Sequence, residues 1–206
     1  MDDQDAMSAY IANYFEQLYS CEASVNQHMD ILSHIPHLVT NNDNENLCRI
    51  PSSAEIKVTV FSMDPNSAPG PDGFSGSFYQ HFWELVAMDV VNFVQAFFSK
   101  SWLLNNLNSN FVVLIIKVPG ACRITQYRLI ALVNFYFKII PKIRADRLGK
   151  IDSKVISPHQ VAFIKEHNIS DCVALVSEGV HMLDRKAFGG NLGLKIDIKK
   201  AFDTMS

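Results

Sequence analysis

The residues best placed to do chemistry lie near the end of the sequence. The apolar run 191–196 leads to Asp197, and the segment Ile-Lys-Lys-Ala-Phe-Asp then ends at Asp203. The run predicts a strand that delivers a carboxylate at its end. Such a carboxylate can hold Mg²⁺, and the turn backbone after it can line a nucleotide pocket. The alternative is that Asp197 caps the N-terminus of a following helix, as Asp commonly does.

Length and composition set the bounds around this motif. The chain has 206 residues, 48% of them apolar, which is enough for a substantial core in one domain or two. No apolar run approaches the roughly 18 residues of a membrane span. The acidic N-terminus argues against a secretory or transit peptide, and the four cysteines include no CxxC pair. We therefore expect an intracellular protein, nuclear or cytoplasmic, with reduced thiols and no membrane segment.

The net charge of −3 conceals a strong asymmetry along the chain. Residues 1–110 hold 3 Lys/Arg against 13 Asp/Glu, whereas residues 111–154 hold 9 against 2. Residues 155–206 hold six of each. A concentrated positive charge attracts polyanions by releasing their counterions. The basic segment, residues 111–154, therefore indicates nucleic-acid binding, and a merely solvated cationic surface is the alternative.

The first half of the chain reads as helices separated by polar or rigid loops. Apolar residues at helical spacing predict a helix over 5–19, and the polar stretch 36–50 predicts a loop. Ser52 and Glu55 have capping-box spacing, which predicts a helix to about residue 63. Two prolines and two glycines make 67–74 a stiff loop. A long amphipathic helix follows, over 78–99.

The second half alternates strands and helices. Two β-rich runs, 111–116 and 129–133, predict a hairpin with a basic tip. The basic helical pattern 134–150 contains Pro141, so a kink or a late helix start is expected. A further helix over 171–188 ends at a glycine pair, before the strand over 191–196.

The residues carry a family resemblance at this point. Seven blocks occur in the order of one family: Ser67–Phe74 with Phe78-Tyr-Gln, Leu114–Lys117, Gln126–Phe135, Lys138–Ile140, Arg147-Leu148, Ser157–Ile164 and Lys195–Asp203. The chain resembles the N-terminal part of the reverse transcriptase domain of plant non-LTR (LINE-type) retrotransposons. The similarity extends from about Ile11 to the last residue.

This resemblance implies an α+β fold, the fingers subdomain and first palm strand of a right-hand polymerase, truncated. It divides the chain into an N-terminal helical extension and polar loop, residues 1–50, and a partial reverse transcriptase domain, residues 51–206. The implied partners are an RNA template, a DNA primer and deoxynucleotides. The implied cofactor is Mg²⁺.

The resemblance also assigns site residues. Asp197 is the implied catalytic and metal-binding carboxylate. Five residues are implied to contact the nucleotide: Lys117, Arg128, Gln160, Ile198 and Phe202. The alternatives are a solvated strand-end charge for Lys117 and Arg128, a surface residue for Gln160 and a core aromatic for Phe202.

The family's second carboxylate block, an adjacent Asp-Asp pair after an aromatic residue, is missing after Asp197 in this sequence. One carboxylate cannot hold two magnesium ions for in-line displacement. We therefore expect a fragment of an RNA-directed DNA polymerase that is inactive alone. The alternative hypothesis is a non-catalytic nucleic-acid-binding remnant that acts through the basic segment 111–154.

Overall fold

The computed structural model describes residues 3–20, 34, 36–101, 103, 107–157, 159–160, 164, 168–183, 185, 189–194 and 196. The chain divides into two compact units, Met1–Pro36 with Val161–Ser206, and His37–Gln160. The described part is a mixture of helices and one small antiparallel sheet. The domain boundary expected after residue 50 stays a prediction.

The described elements follow one another along the chain. They are α1 (Gln4–Tyr19), α2 (Asn41–Cys48), α3 (Ser53–Ser62), α4 (Gly76–His81), α5 (Trp83–Lys100), β1 (Asn110–Ile116), a 3₁₀ turn (Ile124–Gln126), β2 (Tyr127–Val133), α6 (Phe135–Leu148), α7 (Asp152–Val155) and α8 (Ile169–Leu183).

The hydrophobic core of the unit His37–Gln160 lies between its helices. Helices α3, α4, α5 and α6 supply it, and α3 packs against α6 and α5. The buried apolar side chains are Ile56, Val60, Tyr79, Trp83, Val90, Val91, Phe93, Val94, Phe135, Ile139, Ile140 and Ile143. Burial of such side chains is the main force that holds these helices together.

The start of α3 confirms the helix predicted from Ser52, but the predicted capping box is half formed. The Ser52 hydroxyl accepts a hydrogen bond from the Glu55 amide at 3.2 Å. The Glu55 carboxylate, which a capping box would turn back towards Ser52, is bound instead by Arg147 at 2.8 and 3.0 Å. A charged partner forms a stronger hydrogen bond with a carboxylate than a backbone amide does.

The prediction of a loop over 36–50 is wrong in its centre, because residues 41–48 form α2. Thr40 and Asp43 form a reciprocal capping box: the Asp43 amide donates to Thr40 Oγ1 at 3.2 Å, and the Thr40 amide donates to Asp43 at 3.1 Å. The asparagine-rich composition concealed the helix, since Asn has a low helix propensity. Capping and contacts with α6 stabilise it nonetheless.

The helix predicted over 78–99 is divided at one residue. Helix α4 ends at His81 and α5 begins at Trp83. Phe82 joins them with φ −98° and ψ 23°, and its amide donates to the Phe78 carbonyl at 2.9 Å. The amphipathic pattern continues across the break, so periodicity alone did not reveal it.

Of the two alternatives expected at Pro141, a kink or a late helix start, the late start is wrong, because helix α6 starts at Phe135. Pro141 lies within the helix and is exposed. Its ring removes one helical hydrogen bond at a cost of about 3 kcal/mol. Ile139, Ile140 and Ile143 around it are at most 3% exposed, and their burial offsets that loss.

The other unit contains α1 and α8. Asp3 caps α1, accepting hydrogen bonds from the Asp5 and Ala6 amides at 3.0 and 3.4 Å, and the helix predicted over 5–19 is confirmed. The helix predicted over 171–188 ends earlier, at Leu183. Beyond it, Gly189 and Gly190 have positive φ of 88° and 81°, a conformation that glycine adopts without steric penalty.

The strand predicted over 191–196 is not formed at its described residues, 191–194 and 196. Instead, the Asn191 side-chain amide donates to the carbonyls of Met182, Leu183 and Arg185 at 3.2, 3.2 and 2.7 Å, at the end of α8. A strand needs a neighbour that satisfies its backbone groups, and the described sheet contains β1 and β2 alone.

Candidate nucleic-acid interface

The predicted hairpin with a basic tip is confirmed. Strands β1 and β2 pair antiparallel without a bulge, from Asn110↔Val133 at the base to Ile116↔Tyr127 near the tip. The Lys117 amide then donates to the Gln126 carbonyl at 2.8 Å, which closes the ladder. Six residues of strand separate base and tip, about 20 Å at the usual rise.

Lys117 and Arg128, the two predicted phosphate-binding cations, lie together on this hairpin. Arg128 is opposite Ile115, and side chains two positions apart on a strand share a face. Lys117 is therefore a diagonal neighbour of Arg128 on one face, at a typical separation of roughly 7–8 Å. Both residues are exposed, and Lys117 Nζ donates to the Thr125 carbonyl at 3.4 Å.

Arg123 is a third cation at the tip, and the sequence reasoning did not single it out as a site residue. It is exposed in the connection between the two strands. The signal that could have found it is its position, an arginine between two predicted strands that already carry Lys117 and Arg128. The three residues Lys117, Arg123 and Arg128 are called the tip cations below.

Hydrogen bonds fix the backbone that carries the tip cations. The Gln126 side-chain oxygen accepts from the Cys122 and Arg123 amides at 3.0 and 2.9 Å. The Tyr127 hydroxyl donates to the Ala121 carbonyl at 3.0 Å. Because Gln126 and Tyr127 hold residues 121–123 of the turn, the tip cations lie on an ordered backbone.

In the helical part of the basic segment, one arginine is buried and bound by other residues of the chain. Arg147 in α6 is 5% exposed. It forms a bidentate pair with Glu55 at 2.8 and 3.0 Å, and it donates to the carbonyls of Leu47, at 3.1 Å, and Arg49. The hydrogen bonds from Arg147 lower the pKa of the Glu55 carboxyl below its ordinary value. Arg147 thereby joins α6 to α3 and to the end of α2.

A second cation of the segment is bound in the same region. Lys154 donates to both carboxylate oxygens of Asp43, at 3.0 and 3.1 Å. The hydroxyl of Thr40, together with Lys154, lowers the pKa of Asp43 to about 2. Acidic residues of the N-terminal half thus neutralise cations that are distant in sequence. The net positive charge around residues 111–154 in the folded chain is therefore smaller than the count along the sequence suggests.

The remaining cations divide into paired and unpaired ones. Lys142 pairs with Asp146 on the surface of α6. Within the described parts of the chain, no ion pair involves Lys117, Arg123, Arg128, Lys138, Arg144 or Lys150. Half of these six unpaired cations are the tip cations.

The rigid loop predicted over 67–74 packs against the base of the hairpin. The Asp72 amide donates to Asn134 Oδ1 at 3.1 Å, and Lys138 Nζ donates to the Ala68 carbonyl at 3.1 Å. A Cβ added to Gly70 would lie 2.3 Å from the Asn134 amide nitrogen, so glycine is required there. The loop therefore supports the hairpin at the opposite end from the tip cations.

The structure describes only one of the remaining predicted site residues. Asp197, Ile198 and Phe202 lie outside the described residues. Gln160 is described, and it is exposed, with its backbone amide donating to the Ser157 carbonyl at 2.9 Å. Among the described residues, no group of three or more His, Cys, Asp or Glu side chains could hold a metal ion. The geometry thus supports a phosphate-binding tip and leaves the carboxylate as a prediction.

Comparisons with known proteins match the region of the chain that contains this tip. Residues 116–206 match the family model described as reverse transcriptase (RNA-dependent DNA polymerase), and all three tip cations fall in this range. The chain is also 24% identical, over 204 residues, to the "Transposon TX1 uncharacterized 149 kDa protein" of Xenopus laevis. That alignment covers 98% of this chain and 15% of the relative.

Residues 116–206 are thus similar to the reverse transcriptase family, and the chain is similar to a transposon protein over nearly its whole length. The chain spans about 15% of the length of the curated relative that it matches. None of the described helices is both long and apolar enough to cross a lipid bilayer.

Proposed function

We propose that this chain is the fingers and the start of the palm of an RNA-directed DNA polymerase of a non-LTR retrotransposon, and that the tip cations bind phosphate. The observation that carries the proposal is the ordered hairpin, which holds Lys117, Arg123 and Arg128 exposed and free of acidic partners among the described residues. The tip lies in the region that matches the reverse transcriptase model.

The chemistry of the tip suits a triphosphate or a nucleic-acid backbone. The guanidinium of Arg128 or Arg123 can bind two phosphate oxygens at once, and the Lys117 ammonium contributes a compact charge beside it. Since Lys117 and Arg128 are diagonal neighbours on one face, they can contact adjacent phosphate oxygens or adjacent phosphates. The bound partners in this proposal are deoxynucleotides, an RNA template and a DNA primer.

The catalytic part of the proposal rests on the resemblance. Asp197 is proposed as the first carboxylate for Mg²⁺, with Ile198, Phe202 and Gln160 around the nucleotide. In a polymerase, magnesium stabilises the charge that develops on the transferred phosphate. The 206-residue chain alone is proposed to be inactive, because no Asp-Asp block follows Asp197 in its sequence. A plant source and an intracellular location, nuclear or cytoplasmic, belong to the same proposal.

A second candidate function is nucleic-acid binding without catalysis, through the whole basic segment 111–154. The observation in its favour is that Lys138, Arg144 and Lys150 also lack ion pairs among the described residues. In this case affinity would follow total positive charge, and the tip would have no special role.

Binding of a labelled single-stranded RNA, followed by fluorescence anisotropy at several salt concentrations, separates the two functions. The double variant Lys117→Ala/Arg128→Ala is expected to weaken binding and to reduce the salt slope by about 1.4, since each phosphate contact contributes about 0.7 for a single strand. Arg144→Ala is the matched control, because Arg144 is an exposed, unpaired arginine of the same segment that lies away from the tip.

The two functions predict different results for this control. If the tip binds phosphate, Arg144→Ala changes the salt slope of RNA binding much less than Lys117→Ala or Arg128→Ala does. Equal losses of RNA affinity and salt slope in Arg144→Ala and Arg128→Ala would favour binding by the basic segment as a whole. In parallel, incorporation of labelled deoxynucleotide on a primed RNA template by this 206-residue chain would contradict the proposed inactivity.

A further inference from the structure

The outer edge of β1 is open within the described part of the chain, where the sheet consists of β1 and β2 alone. The Lys117 amide points to β2, and the direction of backbone groups alternates along an antiparallel strand. The backbone groups of Phe111, Val113 and Ile115 therefore face β2. Those of the intervening residues, Asn110, Val112, Leu114 and Ile116, face away from it.

The strand at this edge carries none of the features that usually prevent pairing with another strand. Residues 110–116 contain no charge, no proline and no glycine, and their register is regular. Their apolar side chains are also exposed: Phe111 56%, Val112 53% and Ile116 58%. An isolated two-stranded hairpin is marginally stable in water, so additional strands would stabilise this one.

We infer that the open edge of β1 pairs antiparallel with β1 of a second copy of this chain, about a two-fold axis through Val113. This register uses all seven residues of the strand. It places Val112 opposite Leu114 and Asn110 opposite Ile116 of the second copy, so the outward-facing backbone groups meet one another. The product is a four-stranded sheet in the order β2–β1–β1–β2.

The distribution of charge favours a second copy as the occupant. Every pair in this register is uncharged, and like charges directly opposite one another would destabilise it. The nearest cation, Lys117, would face Ser109 of the second copy. Arg128 lies on β2, one strand away from the joint. The interface is isologous, so it closes as a dimer rather than extending into a fibre.

Charge substitution on the axis tests both the partner and the register. Val113→Lys places two lysines opposite one another and is expected to raise the dimer dissociation constant at least about tenfold, as does Val113→Glu. An equimolar mixture of the two variants is expected to recover the dimer, because lysine then faces glutamate. Sedimentation velocity of the 206-residue chain over a concentration series measures each state.

Ile130→Lys is the matched control. Ile130 pairs with Val113 across the hairpin on the same face, and the two are exposed to 39% and 41%. It belongs to β2, away from the joint, so Ile130→Lys is expected to keep the wild-type dimer. Val112→Pro is a second variant that adds no charge: it removes an outward-facing amide that β2 does not use, and it too is expected to weaken the dimer.

Several results would overturn the inference. These are a wild-type chain that is monomeric at every concentration, a control that dissociates as much as Val113→Lys, and a charge-reversed mixture that fails to associate. A Val112→Pro chain that is folded by circular dichroism and still dimerises with wild-type affinity would also overturn it. RNA binding is measured separately, so a failure here is distinguishable from a failure of the proposed polymerase function.

Discussion

The two parts of the basic segment, the helices and the hairpin, place lysine and arginine in different surroundings. In the helical part, Arg147 is buried against Glu55 and Lys154 binds Asp43. In the hairpin, Lys117, Arg123 and Arg128 are exposed at an ordered tip. Arg147 and Lys154 stabilise the unit His37–Gln160, whereas the tip cations are exposed and form no ion pair among the described residues.

This difference shows that a charge count along a sequence overestimates the charge available for binding. Two acidic residues far upstream, Asp43 and Glu55, neutralise two of the nine cations in residues 111–154. A buried cation with good partners contributes to the fold, and its field is screened from solvent. Only the folded chain reveals which cations are of this kind.

The largest expected effect is on folding stability at Arg147. Arg147→Ala leaves the Glu55 carboxylate and the carbonyls of Leu47 and Arg49 without their donor, which should lower the free energy of unfolding by about 4 kcal/mol. Urea denaturation measures the change. Arg144→Ala, the same change at an exposed position, should stay within about 0.5 kcal/mol. Similar losses in both variants would show that Arg147 is no different from a surface arginine.

The base of the hairpin should be the next most sensitive place. Gly70→Ala puts a Cβ 2.3 Å from the Asn134 amide nitrogen and 2.4 Å from its Oδ1, so the loop must shift and lose the Asp72–Asn134 hydrogen bond. We expect a loss of about 2 kcal/mol from this overpacking. Gly73→Ala is the comparison, since Gly73 has φ 75° and open space around it. Backbone strain alone should cost about 1 kcal/mol there. A larger loss of stability in Gly73→Ala than in Gly70→Ala would refute the packing argument.

The acid sensitivity of the unit should depend on Asp43. Its pKa of about 2 in the folded chain is below its value in the unfolded chain, so its contribution to stability is present above about pH 4 and is lost as the pH falls towards 2. Glu55, whose pKa is also lowered, acts in the same direction. Thermal unfolding from pH 5 to pH 2 measures this loss.

Asp43→Asn is expected to reduce the slope of that acid transition, because the substituted amide does not titrate. Asp146→Asn is the matched control, a carboxylate paired with a lysine on the exposed surface of α6. If Asp43→Asn leaves the slope unchanged, the pair between Asp43 and Lys154 does not couple stability to pH.

The smallest expected effect on stability is at the tip. The triple variant Lys117→Ala/Arg123→Ala/Arg128→Ala should change the free energy of unfolding by no more than about 0.5 kcal/mol per substitution, because all three side chains are exposed. The same variant should lose most of the salt-dependent RNA binding. A large loss of stability with unchanged RNA binding would show that the tip cations stabilise the fold and do not bind RNA.

The elements with strong local signals were predicted correctly from the sequence. The hairpin follows from two β-branched runs, α3 from Ser52 and its spacing to Glu55, and the loop 67–74 from its prolines and glycines. Each of these signals acts within a few residues. The predicted positions of Lys117 and Arg128 on one hairpin were confirmed for the same reason.

The errors occurred where distant contacts outweighed local preference. Helix α2 forms in an asparagine-rich stretch because it is capped by Thr40 and packs against α6. Helix α6 passes through Pro141 because its isoleucines are buried. The strand expected before Asp197 is not formed at its described residues, where Asn191 binds the end of α8 instead. Propensity is a weak prior in each case, and tertiary packing decides.

The sequence by itself determined the reverse transcriptase resemblance, the hairpin and the identity of its cations, because motifs and alternating patterns are local properties of the chain. Tertiary structure alone decided that Arg147 and Lys154 are bound by Glu55 and Asp43 while the tip cations stay exposed. The physical reason is that a charge is neutralised by what lies near it in space, and roughly a hundred residues separate these partners in sequence.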